Sequence, residues 1–203
     1  MVNASARAGA HRHGVVFYED DNKFLCEAIV DFCVRALRAA DPLVVIATRH
    51  HLDQLQAKLR ERGLDWEAAC AAGVAAEHEA EELMARFCSP TGPDQFKFKA
   101  VMEQQLAPWA DMSEDHTLRT FGEMVDILCR RGDLEAAAQL EQMWNELARS
   151  HRFTLLCAYS MGNLYREVNG SAYRKICDAH DHVLPWTLAD ATPGLDLRPS
   201  AAM

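Results

Sequence analysis

Apolar residues follow two rhythms along this chain. Val15-Val16-Phe17-Tyr18, Leu43 to Thr48 and Phe153 to Tyr159 are nearly unbroken apolar runs, too short for helices and typical of strands covered on both faces. Between the first two runs, Phe24, Leu25, Ala28, Ile29, Phe32, Val34, Ala36 and Leu37 form a broad apolar face, with Glu27, Asp31, Arg35 and Arg38 largely outside it. This predicts a helix to about Ala39, capped by Asp21 or Asn22 and followed by a turn at Asp41-Pro42. A second helix leaves Thr48-Arg49-His50-His51 and ends near Gly63.

Gly73 to His78 also reads as a strand, although it is rich in alanine. Glu79 to Trp109 reads as two helices, separated by the loop Ser89-Pro90-Thr91-Gly92-Pro93, whose prolines and glycine cannot continue either one. From Leu118, the phrase Arg119-Thr120-Phe121-Gly122-Glu123-Met124 has the form of a strand turning into a helix, with Glu123 where the strand ends. Asp133 is the expected N-cap of a further helix, whose apolar residues Leu134, Ala137, Ala138, Leu140, Trp144, Leu147 and Ala148 recur at three- and four-residue steps. The last helix lies between Leu164 and His180, interrupted near Asn169-Gly170. About five strands alternating with helices predict an α/β fold: a three-layer, mostly parallel sheet with helices on both faces.

Composition narrows the function classes. The chain has 203 residues, 49% of them hydrophobic and 25% charged, as expected for one globular domain. The net charge of −9 and the lack of a run of lysines and arginines argue against direct nucleic-acid binding. No apolar stretch reaches the roughly 18 residues of a membrane span, and residues 1–12 lack the apolar core of a signal peptide, so a cytoplasmic location is expected. Seven cysteines without a C-x-x-C pair read as buried reduced thiols. Residues 1–12 are expected to be a flexible start, 13–187 one domain, and 188–203, rich in proline, glycine and alanine, a flexible tail.

Three phrases in one order carry more information than composition does. Arg119-Thr-Phe-Gly-Glu-Met-Val, Leu140-Glu-Gln-Met-Trp-Asn-Glu-Leu and Leu155-Leu-Cys-Ala-Tyr-Ser-Met, with His13-Gly-Val-Val-Phe-Tyr-Glu-Asp-Asp and Asp41-Pro-Leu-Val-Val-Ile-Ala-Thr upstream, resemble the MEDS domain. This is the methanogen/methylotroph sensory domain first described in a dichloromethane-responsive repressor. The resemblance covers roughly residues 13 to 185 and implies a degenerate relative of RecA-type ATPases, acting in signal transduction and transcription regulation. Domains of this kind are typically joined to a histidine kinase, a sigma-factor regulator or a DNA-binding output. Such a signalling protein is therefore the expected partner, reached in trans or as part of a longer protein, with self-association expected to cover the sheet edges.

In open parallel sheets ligands collect beyond the carboxyl ends of the strands. The strand assignments place Tyr18, Glu19 and Asp20, then Thr48 to His51, Gly122 and Glu123, and Tyr159 to Met161 at those ends. Tyr18, Glu19, Asp20, His51, Arg119, Glu123 and Tyr159 are the candidate ligand-binding set, with Glu123 expected to face Tyr18 and Tyr159. Arg119, four residues before Glu123, need not touch it. Of the adjacent His50 and His51, which diverge by about 100° on a helix, one is expected to face inward. Cys177, His180 and His182 could bind a metal only with a distant fourth ligand such as Cys157 or His151. Glu141 and Asn145, one turn apart, read as structural polar contacts.

No catalytic residue is expected, since the chain has neither G-x-S-x-G nor H-E-x-x-H, and no cofactor is expected. The reading is a non-enzymatic sensory domain that binds a small ligand or partner and signals by protein contact. The alternative is a nucleotide- or metal-binding enzyme using Glu19, Asp20 and Glu123. A phosphate cradle needs glycines after the first strand, and here Glu19-Asp20-Asp21-Asn22-Lys23 stands instead. Calorimetric titration with ATP is expected to show affinity no tighter than millimolar; micromolar binding would overturn this expectation.

Overall fold

The computed structural model describes residues 12–18, 23–113, 115–164 and 171–184. The expected cap at Asp21 or Asn22, the candidate residues Glu19 and Asp20, the interruption near Asn169 and the tail from 188 onward lie outside them. The sheet strands are β1 (Arg12–Tyr18), β2 (Leu43–Ala47), β3 (Ala75–Glu79), β6 (Leu118–Gly122), β7 (Phe153–Ser160) and β8 (His182–Leu184), with β4 (Cys88–Ser89) and β5 (Gly92–Pro93) forming a separate hairpin. The main sheet has the order β3-β2-β6-β7-β1-β8, and every pairing in it is parallel. Helices α1 (Lys23–Arg38), α2 (Arg49–Glu61) and α3 (Trp66–Ala71) cover one face. The other face is covered by α4 (Ala80–Met84), α5 (Gln95–Leu106), α6 (Met124–Arg130), α7 (Leu134–Ala148) and α9 (Ser171–Ala179); the four-residue α8 (Met161–Leu164) follows β7.

Each strand divides its side chains between two cores. Leu43, Val45 and Ala47 of β2 join the core under α1 and α2, while Val44 and Ile46 join the one under α5 to α7. All five are buried, which is why this strand reads as an unbroken apolar run. On β7, Phe153, Leu155, Cys157 and Tyr159 face α7, and Leu156 and Ala158 face the opposite core.

Caps and breaks fall largely where the side chains dictate. Asp133 accepts a hydrogen bond from Ala136 N at 3.0 Å and starts α7 as expected. What precedes it is a full turn break: Gly132 sits at φ 80°, its N–H bonded to Cys129 O, so α6 and α7 are two helices rather than one. The loop expected at Ser89 to Pro93 is instead a short hairpin, with Gly92 at φ 105°. A sixth sheet strand, β8, adds to the about five expected; three residues pairing with β1 are too short to show a period.

Trp144 is 1% exposed and meets Phe98 and Phe153 edge to face, at centroid distances of 5.2 and 5.9 Å. Trp144→Ala should lower unfolding free energy by about 3–5 kcal/mol in urea denaturation. A loss under about 1 kcal/mol would show that α7 is not held by this contact.

Candidate functional site

Two polar assemblies lie within this apolar frame. The first is at the carboxyl edge of the sheet, where β1, β2, β6 and β7 hand over to helices. Glu123 N still donates to Ile46 O at 3.1 Å, so Glu123 is the last residue of its segment held by the sheet before α6 begins. Its carboxylate makes no cap bond to that helix. Instead Oε2 accepts a hydrogen bond from Nδ1 of His51 at 2.7 Å, with the side chains 0% and 2% exposed. His51 comes from the first turn of α2, where Thr48 is extended and α2 begins at Arg49; His50 beside it is exposed. Glu123 Oε1 and His51 Nε2 are buried without a hydrogen-bond partner.

Beside this pair Tyr18 donates to Asp126 Oδ2 at 2.7 Å, Ser160 N donates to Asp126 Oδ1 at 2.7 Å, and Arg130 Nε closes an ion pair to Oδ2 at 2.7 Å. Arg130 also reaches the Tyr18 hydroxyl. Burial pushes the Asp126 carboxyl above the usual aspartate range, against the pull of Ser160 N–H, Tyr18 and Arg130. Glu123 adds to the upward push, so the two carboxylates are near enough to influence each other. Burial, then Asp126, raises the Tyr18 hydroxyl in turn. On the α1 side, Cys26 donates from its thiol to Gln54 Oε1 at 2.6 Å, and burial raises that thiol.

The structure therefore brings His51 and Glu123 of the candidate set together, with Tyr18 on the same side of the sheet, and separates Arg119 and Tyr159 from them. Tyr159 lies in the core under α7, away from His51 and Glu123, whereas Tyr18 lies in the core under α1 and α2. In the β1–β7 register Phe17 pairs with Tyr159 and Tyr18 with Ser160, so the two tyrosines project from opposite faces of the sheet. Arg119 lies at the amino end of β6, paired with Leu43. There its Nε and Nη2 grip Asp41 Oδ2 at 2.8 and 2.7 Å, while Thr117 N bonds Asp41 Oδ1 at 3.1 Å. That is a clip joining the entries of β2 and β6, remote from the carboxyl edge.

The second assembly lies under α7, on the opposite face from α1 and α2. Glu141, 1% exposed, is the centre. Its Oε1 accepts from the Tyr159 hydroxyl at 2.5 Å and lies 3.3 Å from His180 Nε2. Its Oε2 lies 3.2 Å from His13 Nε2 and 3.7 Å from Cys157 Sγ, which itself lies 3.2 Å from His13 Nε2. Asn145, one turn along α7, holds His13 Nδ1 at 3.0 Å and donates to Ala179 O at 3.0 Å. Burial opposes ionisation of Glu141, but its contacts with His13 and His180 win and hold its carboxyl below the usual range. Burial would depress His180, and Glu141 reverses this and raises it; burial, then Glu141, raises the Cys157 thiol and the Tyr159 hydroxyl well above their ordinary values. A groove of about 930 Å³ between α7 and α9 reaches Glu141 and Asn145.

Of the metal-ligand candidates, His180 enters this assembly, as does Cys157, the distant residue named as a possible partner. Cys177 packs beside the core instead, and the His182 side chain lies outside the described residues. His151 turns to Ser150 and the Leu147 carbonyl. Glu141 and Asn145 do make polar contacts here, and their partner His13 carried no sequence signal beyond preceding an apolar run.

A family model, the MEthanogen/methylotroph, DcmR Sensory domain (MEDS), matches residues 12–181. The chain belongs to the MEDS family. MEDS is a sensory domain family, which assigns the protein a sensory or regulatory role. No curated protein matches the chain. The MEDS match runs from the start of β1 to residue 181, just past α9, and so includes every residue of both assemblies. Among the described residues no helix is long and apolar enough to cross a membrane.

Tyr18→Phe removes one of the donors to a fully buried carboxylate and leaves Arg130 and Ser160 N in place. Stability should fall by about 1–3 kcal/mol, read as a shift of the urea midpoint at constant slope. An unchanged midpoint would mean that the Tyr18 hydroxyl contributes nothing to holding Asp126.

Proposed function

We propose that this MEDS domain is a non-enzymatic sensor that binds a small ligand at the carboxyl edge of its sheet and passes the change to a signalling protein by surface contact. The observation that carries the reading is the buried His51–Glu123 pair with one polar atom left over on each side chain. A buried polar atom without a partner costs about 1–3 kcal/mol. A ligand that meets both atoms recovers that cost, and so binds here in preference to an apolar surface.

The hydrogen bond sets the ligand chemistry. With His51 Nδ1 donating to the carboxylate, the neutral imidazole presents an acceptor at Nε2, and Glu123 Oε1 is an acceptor as well. Two acceptors side by side favour a small molecule with hydroxyl or amino donors. Transmission to a separate kinase, sigma-factor regulator or transcription regulator is the matching output. MEDS membership supports sensing itself.

Glu123→Gln tests the reading with a nearly isosteric change. Its melting temperature should stay within a few degrees of the parent protein, while the thermal shift that small alcohols and amines give the parent should disappear. Loss of the fold without a separable loss of response would make Glu123 a structural residue, and no response of the parent to any donor-bearing compound would remove the pocket reading altogether.

A further inference from the structure

His13, Glu141, Cys157 and His180 point one ligand atom each into a single buried volume, where these atoms all lie within 4.8 Å of one another. Metal bonds of about 2.0–2.3 Å at tetrahedral angles place neighbouring ligand atoms about 3.3–3.8 Å apart. Three separations, 3.2 Å from His13 Nε2 to both Cys157 Sγ and Glu141 Oε2 and 3.7 Å from Cys157 Sγ to Glu141 Oε2, match to within a few tenths of an ångström, and His180 Nε2, 3.3 Å from the other oxygen Oε1, lies within 4.8 Å of the rest.

The outer contacts fix which nitrogen each histidine offers. His180 Nδ1 lies 2.6 Å from the Ile176 carbonyl, which can only accept, so Nδ1 carries a proton, and a metal ion that replaces any proton on Nε2 meets an inward lone pair there. His13 Nδ1 lies 3.0 Å from Asn145 Oδ1, and the amide is held in that orientation because its nitrogen donates to Ala179 O. Nε2 of His13 is therefore the ring nitrogen left to face the cluster. An acceptor on the far nitrogen is the arrangement that orients ligating imidazoles. Tyr159 supplies the matching outer contact to the carboxylate.

With both rings neutral, two imidazole lone pairs and the Glu141 carboxylate face inward, where the Tyr159 hydroxyl and the Cys157 thiol also point. His180 Nε2, on a side chain 0% exposed, meets Glu141 Oε1 at 3.3 Å without the geometry of a hydrogen bond. A buried carboxylate calls for positive charge, and a cation held by the imidazole nitrogens and the sulfur supplies it. We propose that His13, Glu141, Cys157 and His180 form a binding site for one borderline divalent transition metal ion, with zinc the best match to two imidazoles, a thiolate and a carboxylate. The thiol proton leaves to solvent as the sulfur–metal bond forms. The groove between α7 and α9 gives the ion its path in. The site draws on β1, β7, α7 and the residue after α9, so the ion ties the C-terminal part of the domain to the sheet. It is independent of the His51–Glu123 reading, which lies on the other face.

Tag-free protein stripped with a chelator and titrated with cobalt(II) tests the proposal. One equivalent per chain should bind, with the absorption of a tetrahedral ion and a thiolate-to-cobalt charge-transfer band; zinc should displace it and raise the melting temperature. Cys157→Ser should lose the charge-transfer band, and His180→Gln should weaken binding at least tenfold, whereas Cys177→Ser should match the parent. Absence of the tetrahedral spectrum in the parent protein overturns the proposal without recourse to any variant. So does binding that survives both Cys157→Ser and His180→Gln, which marks a surface site, or binding lost in Cys177→Ser.

Discussion

A carboxylate removed from water has to be met by donors or by positive charge, and this domain buries three that organise its interior. Glu123, Asp126 and Glu141 are each 0–1% exposed in a sheet sandwiched between two apolar layers. Placing them there is expensive, and leaving one without partners would cost several kcal/mol. Each is therefore the node of an assembly drawn from distant parts of the chain: Glu123 from α2, Asp126 from β1 and β7, Glu141 from β1, β7 and the end of α9. The apolar layers set the topology, and the carboxylates fix which residues meet within it.

The position of β1 is the clearest case. It pairs with β7 over its whole length, and its far edge takes β8. Backbone contacts around His13 reinforce that edge: its N–H donates to Asp181 Oδ2 at 2.9 Å and its carbonyl accepts from Asp181 N at 2.8 Å. The His13 ring meanwhile reaches Asn145 and Cys157. One residue thus joins the sheet, α7 and the C-terminal segment, which is why His180 arrives where Cys157 and Glu141 already face each other.

The fold was largely legible because burial on both faces writes itself as apolar runs. Leu43 to Ala47 could be nothing else, and Asp133 at the head of a three-and-four pattern could only be a cap. Features fixed by a few residues escaped. The β4–β5 hairpin and β8 are two and three residues per strand, too short for any period. The carboxyl-edge site was legible by place, since strand ends name His51 and Glu123, but not by partner. Strand ends alone bring Tyr18 and Tyr159 together, and only the β1–β7 register shows that they diverge. Arg119 was grouped with Glu123 by closeness along the chain, although a strand carries the two toward opposite ends of the sheet. The Glu141 assembly needed contacts as remote as the 144 residues separating His13 from Cys157. One signal was available: Glu141 follows Leu140 and precedes Trp144 on the apolar face of α7, and a carboxylate on a core-facing stripe requires a partner.

The two assemblies lie on opposite faces, yet adjacent residues at the end of β7 serve them. Tyr159 turns toward α7 and bonds Glu141, while the N–H of Ser160 bonds Asp126, whose carboxylate feels Glu123. Both contacts are short and buried, so neither can lengthen without exposing a carboxylate to an apolar wall. A displacement of this strand end on one face has to be accommodated on the other. The last two residues of β7 are accordingly a backbone link between the two buried assemblies.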